Sequence, residues 1–166
     1  PDMVSYMDST VGKIINALRN NNIDDNTIII FLGDNGTDRK VFTKNNNVLV
    51  KGSKGLTNKY GTNVPLIISW SKLKKIKNEQ TPLVDLIDFY STFEDLLNVE
   101  KKTSNGVSLL PLLLGENFDE RKYITTYYNP MWGSLYKNRA VYIQNKKYKL
   151  YKSGSFYNYQ LDPEEM

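Results

Sequence analysis

Residues 25–36 read DNTIIIFLGDNG. Positions 27–32 are apolar on both faces and rich in β-branched side chains, as in a central strand of a covered parallel sheet. The run stops at Gly33, and Asp34-Asn35-Gly36 follows. Asn and Gly accept positive φ at low cost, so D-N-G is by itself a common turn. It also sets a carboxylate beside an amide carbonyl at the carboxyl end of a strand, where ligands bind in open α/β sheets. Turn and half of a metal site both remain open at this point.

Working outward, Val4, Met7, Val11, Ile14 and Leu18 recur at helical spacing, which predicts an amphipathic helix over residues 3–20 that ends at RNNNIDDN. Residues 36–63 are polar, carry Gly52, Gly55 and Gly61, and read as a long irregular loop, a feature that in compact domains is usually functional or disordered. VPLIIS (64–69) is a second buried strand. Thr81-Pro82 has the chemistry of a helix start, with Thr as N-cap and Pro at the first helical position. Leu83, Leu86, Ile87, Tyr90, Phe93 and Leu97 would then form the apolar stripe, with Asp85, Asp88 and Glu94 mostly off it. SLLPLLLG (108–115) reads as a short apolar helix or turn ending at Gly115.

Beyond it the texture changes to short aromatic segments separated by turn residues: KYITTYYN, RAVYIQN, KYKLYKSG and SFYNYQL. These predict an antiparallel meander in which Tyr148, Tyr151, Phe156 and Tyr159 pack across strands. The expected organisation is α/β over residues 1–115, followed by a small antiparallel β subdomain over 116–166.

Composition narrows the chemistry. With 166 residues the chain can form one domain or a domain with a small appendage. It has neither Cys nor His, which excludes disulfides, a Cys/His zinc site, a Cys nucleophile and a His-based triad within it. The net charge of +4 comes from scattered lysines and a cluster at KLKKIK (72–77), which reads as a solvated loop rather than a polyanion site. No stretch approaches the ~20 apolar residues of a membrane span. PDMVSYMDST lacks the basic and apolar regions of a signal peptide. With no initial Met and an ending at LDPEEM, the chain is expected to be a piece of a longer polypeptide.

These segments together resemble the C-terminal half of the sulfatases, in the alkaline-phosphatase-like superfamily. The resemblance runs from about Tyr6 to Pro163. It is carried by YMDSTVGKIINAL, DNTIIIFLGDNG, KGLTNKYGTNVPLI, LVDLIDFYSTFEDLL with GVSLLPLL after it, and KYKLY followed by LDPEE. It implies the C-terminal part of an α/β/α sheet domain. It also implies that Asp34 and Asn35 are two ligands of a calcium ion, a role that suits hard oxygen donors. Many phosphatase relatives carry a histidine after the Asp, so Asn35 favours the sulfatase branch. Lys54, which opens the K-G-x-T segment, would contact the sulfate and stabilise the leaving oxygen, an electrostatic clamp on a charged group. The family commonly has an acid where this chain has Lys59 and a base where it has Asn63, departures that touch loop geometry more than chemistry.

The formylglycine nucleophile of the family arises from a C/S-x-P-x-R motif, which is absent here. The resemblance therefore implies one edge of an active site, with the nucleophile and remaining ligands upstream and the chain inactive alone. Such a fragment would expose unpaired edges and apolar faces and be marginally stable. YYNPMWG (127–133) resembles a bacterial-type segment near the substrate mouth. There Asn129 and Trp132 could contact a sugar or aryl group, or simply pack in the core. Asp8 fits the family pattern as a structural residue. The expected partner is a sulfated small molecule or glycan, with no nucleic acid, and family habit points to the periplasm or the extracellular space. Two alternatives stand beside this: a phosphate or phosphonate ester hydrolase of the same superfamily, and a non-catalytic module holding a polyanion through salt-sensitive contacts.

Overall fold

The computed structural model describes residues 2–45, 47–73, 81–99, 105–130 and 139–166. In chain order the elements are α1 (Asp2–Asn20), a 3-10 turn (Asp24–Asn26), β1 (Ile29–Leu32), β2 (Phe42–Asn45), β3 (Val48–Lys51) and α2 (Lys59–Thr62). These are followed by β4 (Leu66–Ser69), α3 (Ile87–Leu97), α4 (Leu110–Leu113), β5 (Ile124–Tyr128), β6 (Ala140–Gln144), β7 (Tyr148–Tyr151) and β8 (Phe156–Asn158).

The strand within residues 27–32 forms, but its neighbour is antiparallel: β1 pairs with β4 in the register Ile29↔Ser69 to Leu32↔Leu66. This corrects the parallel reading. Antiparallel neighbours need only a loop between them, whereas parallel ones need a crossover to the far end. Here the chain leaves β1 and re-enters β4 at the same end, where Gly33 N donates to Pro65 O at 3.1 Å. The expected irregular loop over 36–63 is also partly regular, since it contains the β2–β3 hairpin and α2. All of it hangs from one end of the β1–β4 pair.

α3 begins later than Thr81-Pro82 predicts. Residues 81–85 are non-helical, with Leu83 N bound to Glu120 Oε1 at 2.8 Å. The helix is opened by a reciprocal cap: Asp88 Oδ2 accepts from Asp85 N at 2.8 Å, and Asp85 Oδ1 from Ile87 N at 3.4 Å. Acidic residues three apart satisfy amide groups that the first turn leaves unpaired.

The buried face of α3 is likewise the reverse of the expected one. Asp88, Ser91, Thr92 and Glu94 are buried, while Leu86, Ile87, Tyr90, Phe93 and Leu97 are exposed. The polar face is covered by the segment before α4, whose backbone needs hydrogen-bond partners. Val107 N donates to Asp88 Oδ1 at 2.7 Å and Leu109 N to Thr92 Oγ1 at 2.9 Å. α1 matches its predicted span, yet none of its residues is buried.

β5–β8 form a four-stranded antiparallel sheet in sequential order, the predicted meander. Its two faces differ. Ile143, Tyr148, Leu150 and Phe156 lie on an open face, with the Tyr148 and Phe156 rings stacked at 5.3 Å. Tyr142, Lys149 and Tyr151 lie on the other, which packs against the loop before α2. Tyr159 falls past β8, so the expected alternation stops short of it. The buried apolar side chains are Leu109, Leu112, Leu113 and Tyr142. The accessible surface is 12622 Å², against about 8,400 Å² for a self-contained monomer of this mass.

Candidate functional site

Asp34 and Asn35 follow β1 directly, and both are exposed. Asn35 Nδ2 donates to Asp34 Oδ2 at 2.9 Å. The turn is fixed by its glycine: Gly36 N donates to Gly61 O at 3.0 Å, and a Cβ on Gly36 would lie 2.0 Å from Tyr60 O. No side chain fits there, so the D-N-G turn is clamped onto α2.

Lys54 reaches the same end of the chain by a second route. The β2–β3 hairpin returns into Gly52, where a Cβ would stand 2.1 Å from Asp38 O. That close approach lets Lys54 N donate to Thr37 O at 2.9 Å, while Lys54 O accepts from Arg39 Nε at 2.9 Å. Thr37 is two residues beyond Asn35. The backbones bearing Asp34, Asn35 and Lys54 are thus tied together, and the Lys54 side chain stands exposed.

The donor set is one carboxylate and one amide carbonyl, both hard and both accessible, which suits Ca²⁺ in kind. It falls short in number, because calcium takes about six to eight oxygens. Among the described residues no group of three or more His, Cys, Asp or Glu gathers that could hold a metal ion. Asn129 lies just past β5, and its Oδ1 is buried without a hydrogen-bond partner among the described residues. Trp132 lies outside the described residues.

The sulfatase family model matches residues 2–99, and that for the C-terminal region of N-sulphoglucosamine sulphohydrolase matches residues 54–166. The chain belongs to the sulfatase family. It is 31% identical over 137 residues to an N-acetylgalactosamine-6-O-sulfatase of Bacteroides thetaiotaomicron, covering 74% of this chain and 26% of the relative. It is 32% identical over 123 residues to human arylsulfatase H, covering 69% and 22%. Among solved structures it is similar to BT4656 in complex with its substrate D-glucosamine-2-N,6-O-disulfate, with a TM-score of 0.76 and 26% identity over 98% of this chain and 33% of that one. A phosphonate monoester hydrolase from Silicibacter pomeroyi has the same fold at a TM-score of 0.71 and 20% identity, over 95% of this chain and 33% of that one. The chain thus spans about a quarter of the curated relatives and a third of these structures.

One cluster in this sulfatase chain escaped the reading of individual residues. Lys149 is 1% exposed, and its ammonium donates to Glu165 Oε1 at 2.9 Å and to Thr57 O. The same Nζ lies 4.0 Å from the centroid of the Tyr142 ring. Tyr151 donates its hydroxyl proton to Glu165 Oε2 and shares a 2.9 Å hydrogen bond with Thr57 Oγ1. Burial pulls the Lys149 ammonium below its ordinary pKa against the pairing with Glu165. Burial and the bond to Glu165 push the Tyr151 phenol up. The signal was present in the sequence, since Lys149 lies in KYKLY and Glu165 in LDPEE, two segments that carry the resemblance.

Proposed function

We propose that this chain supplies one edge of the active site of a sulfuric ester hydrolase. Asp34 and Asn35 offer two oxygens to a calcium ion, and Lys54 offers its ammonium to the sulfate and the leaving oxygen. The formylglycine nucleophile and the other ligands come from polypeptide outside these 166 residues, so the chain alone turns over no ester. Bound calcium would supply positive charge to the sulfate oxygens. Within this chain, Lys54 adds a second fixed cation, worth most where water is excluded and charge develops on a departing oxygen. The observation that carries the reading is the 2.9 Å bond from Lys54 N to Thr37 O, which joins the K-G-x-T loop to the D-N-G turn. A sulfated sugar is the favoured substrate, supported by the N-acetylgalactosamine-6-O-sulfatase relative and by the BT4656 complex.

The test uses the complete polypeptide, matured to formylglycine. Lys54→Ala should lower turnover of an aryl sulfate by about 100-fold or more, the scale for loss of one preorganised charge-stabilising donor. Unchanged turnover would refute the role of Lys54. Faster turnover of a matched aryl phosphonate than of the sulfate by the unmodified enzyme would move the reading to phosphonate ester hydrolysis.

A further inference from the structure

The segment bearing Lys54 is gripped from behind by the β5–β8 sheet. Thr57, three residues on, is held at its carbonyl and its hydroxyl: the carbonyl accepts from Lys149 Nζ, and the hydroxyl meets the Tyr151 hydroxyl at 2.9 Å. Gly55 O accepts from Tyr128 OH at 3.4 Å, and Lys59 N donates to Pro163 O at 3.1 Å. On the other side Thr37 and Arg39 hold the two backbone groups of Lys54 itself. The backbone is fixed at both ends while the lysine side chain stays exposed.

A buried ammonium is costly unless it is paired and hydrogen-bonded, and an apolar residue of similar size could fill the same space. What the charge does here, and a methionine would not, is hold the Thr57 carbonyl. Glu165 balances that charge and in the same step orients Tyr151, whose hydroxyl grips Thr57 a second time.

We propose that Lys149, Glu165 and Tyr151 are positioning residues for Lys54: the sheet sets the placement of the lysine through Thr57 without touching substrate. This rests on the role given to Lys54 above. Catalysis by a fixed charge requires its position to be held before the reaction, and a displacement of about 1 Å can cost about 100-fold.

The experiment combines amide hydrogen exchange with steady-state kinetics on an aryl sulfate, in the complete matured polypeptide. The variants are Tyr151→Phe, which removes the hydroxyl and keeps the ring, and Lys149→Met, with Lys54→Ala as reference. Both should speed exchange across residues 54–59 while leaving the paired amides of β5 and β6 unchanged. Both should lower kcat by about 10- to 100-fold with little change in KM. Added to Lys54→Ala, either should cost almost nothing more, because both act through Lys54. Unaltered exchange at 54–59 would overturn the bracing. Losses that multiply in the double variants would show that the cluster acts on overall stability and not through Lys54. Normal kcat in Lys54→Ala overturns the role of Lys54 but not the bracing, which the exchange arm reads by itself.

Discussion

Asp88→Ala should release the unit formed by α3 and the segment before α4. Asp88 is 0% exposed. Its two carboxylate oxygens accept from Asp85 N, Val107 N, Arg121 Nε and the second Arg121 guanidinium nitrogen. Removing the carboxylate leaves Arg121, with a side chain only 12% exposed, holding the Asn105 carbonyl at 3.1 Å in place of an ion pair. Breaking a buried ion pair by deleting one partner costs about 3–5 kcal/mol, and each stranded backbone N–H about 1–3 kcal/mol. These terms overlap, so about 5 kcal/mol is the expected total, the size of a marginal domain's whole stability. Hydrogen exchange suits the assay because it reads local opening without requiring one two-state transition. At about 1.4 kcal/mol per tenfold, protection of the α3 amides should fall by about a thousandfold or more. The paired amides of β6 and β7 should hardly change. The double variant Asp88→Ala with Arg121→Met should recover part of the loss, since it removes the stranded cation. A change under tenfold in the single variant, or no recovery in the double, would refute the assignment of Asp88 as the centre of this unit.

Two further outcomes follow from the site and the cluster. Gly36→Ala would press a Cβ against Tyr60 O and Gly61 Cα, both backbone atoms, so the turn or α2 must move. Overpacking of this kind costs about 1–3 kcal/mol, and exchange at residues 58–62 should rise; a thermal midpoint equal to wild type would contradict the contact. At alkaline pH, Tyr142, Tyr151 and Tyr159 keep their protons longer in the folded state than at their ordinary value of 10.0, chiefly through burial. Their stabilisation is complete below that value and is lost as pH rises through the raised folded values. Lys149 acts in the opposite sense below its ordinary 10.5, where burial disfavours the charged form and stability rises with pH. Urea midpoints measured from about pH 8 to about pH 12 should therefore fall steeply beyond about pH 10, and Tyr151→Phe should flatten that fall. An equally steep fall in the variant would remove Tyr151 from the cause.

Local chemistry was legible where it was self-sufficient. α1 and the β5–β8 meander follow from helical spacing and from aromatic segments cut by turns, and the short apolar run ending at Gly115 holds α4. Strand partners were less so. The apolar run of β1 says that it is to be covered, but not by which neighbour or in which direction, and the loop returning to the same end made the pair antiparallel. The start of α3 was misplaced because Thr81-Pro82 is a good cap in isolation, whereas Asp88 caps Asp85 N, Asp85 caps Ile87 N, and Asp88 is also fixed by Arg121 across the fold. Of the site, the D-N-G turn stood out by its place at the end of a strand, whereas the lysine of K-G-x-T was singled out only by the family resemblance. Their joining through Thr37 could not, because it depends on two close backbone approaches at Gly36 and Gly52.

The exposed stripes carry the remaining step. Leu86 is 66% and Leu97 69% exposed on α3, and Val4 is 64% and Ile14 55% exposed on α1, although their spacing is that of helices with a buried face. Periodicity records the environment a helix was selected for, and within this chain α3 instead buries the polar face that caps residues 105–109. One helix therefore carries two coverable faces, one satisfied by this chain and one left open. The same pattern holds for the proposed site, where the backbones bearing Asp34, Asn35 and Lys54 are tied together and no group of three or more metal-type side chains gathers among the described residues. On the function proposed above, one polypeptide would account for both: it would cover the apolar stripes of α1 and α3 and bring its own ligands and nucleophile to the end of β1. Adding that polypeptide should then protect α3's Leu86, Tyr90 and Leu97 side and complete the proposed calcium site together; separation of the two effects would refute a single partner.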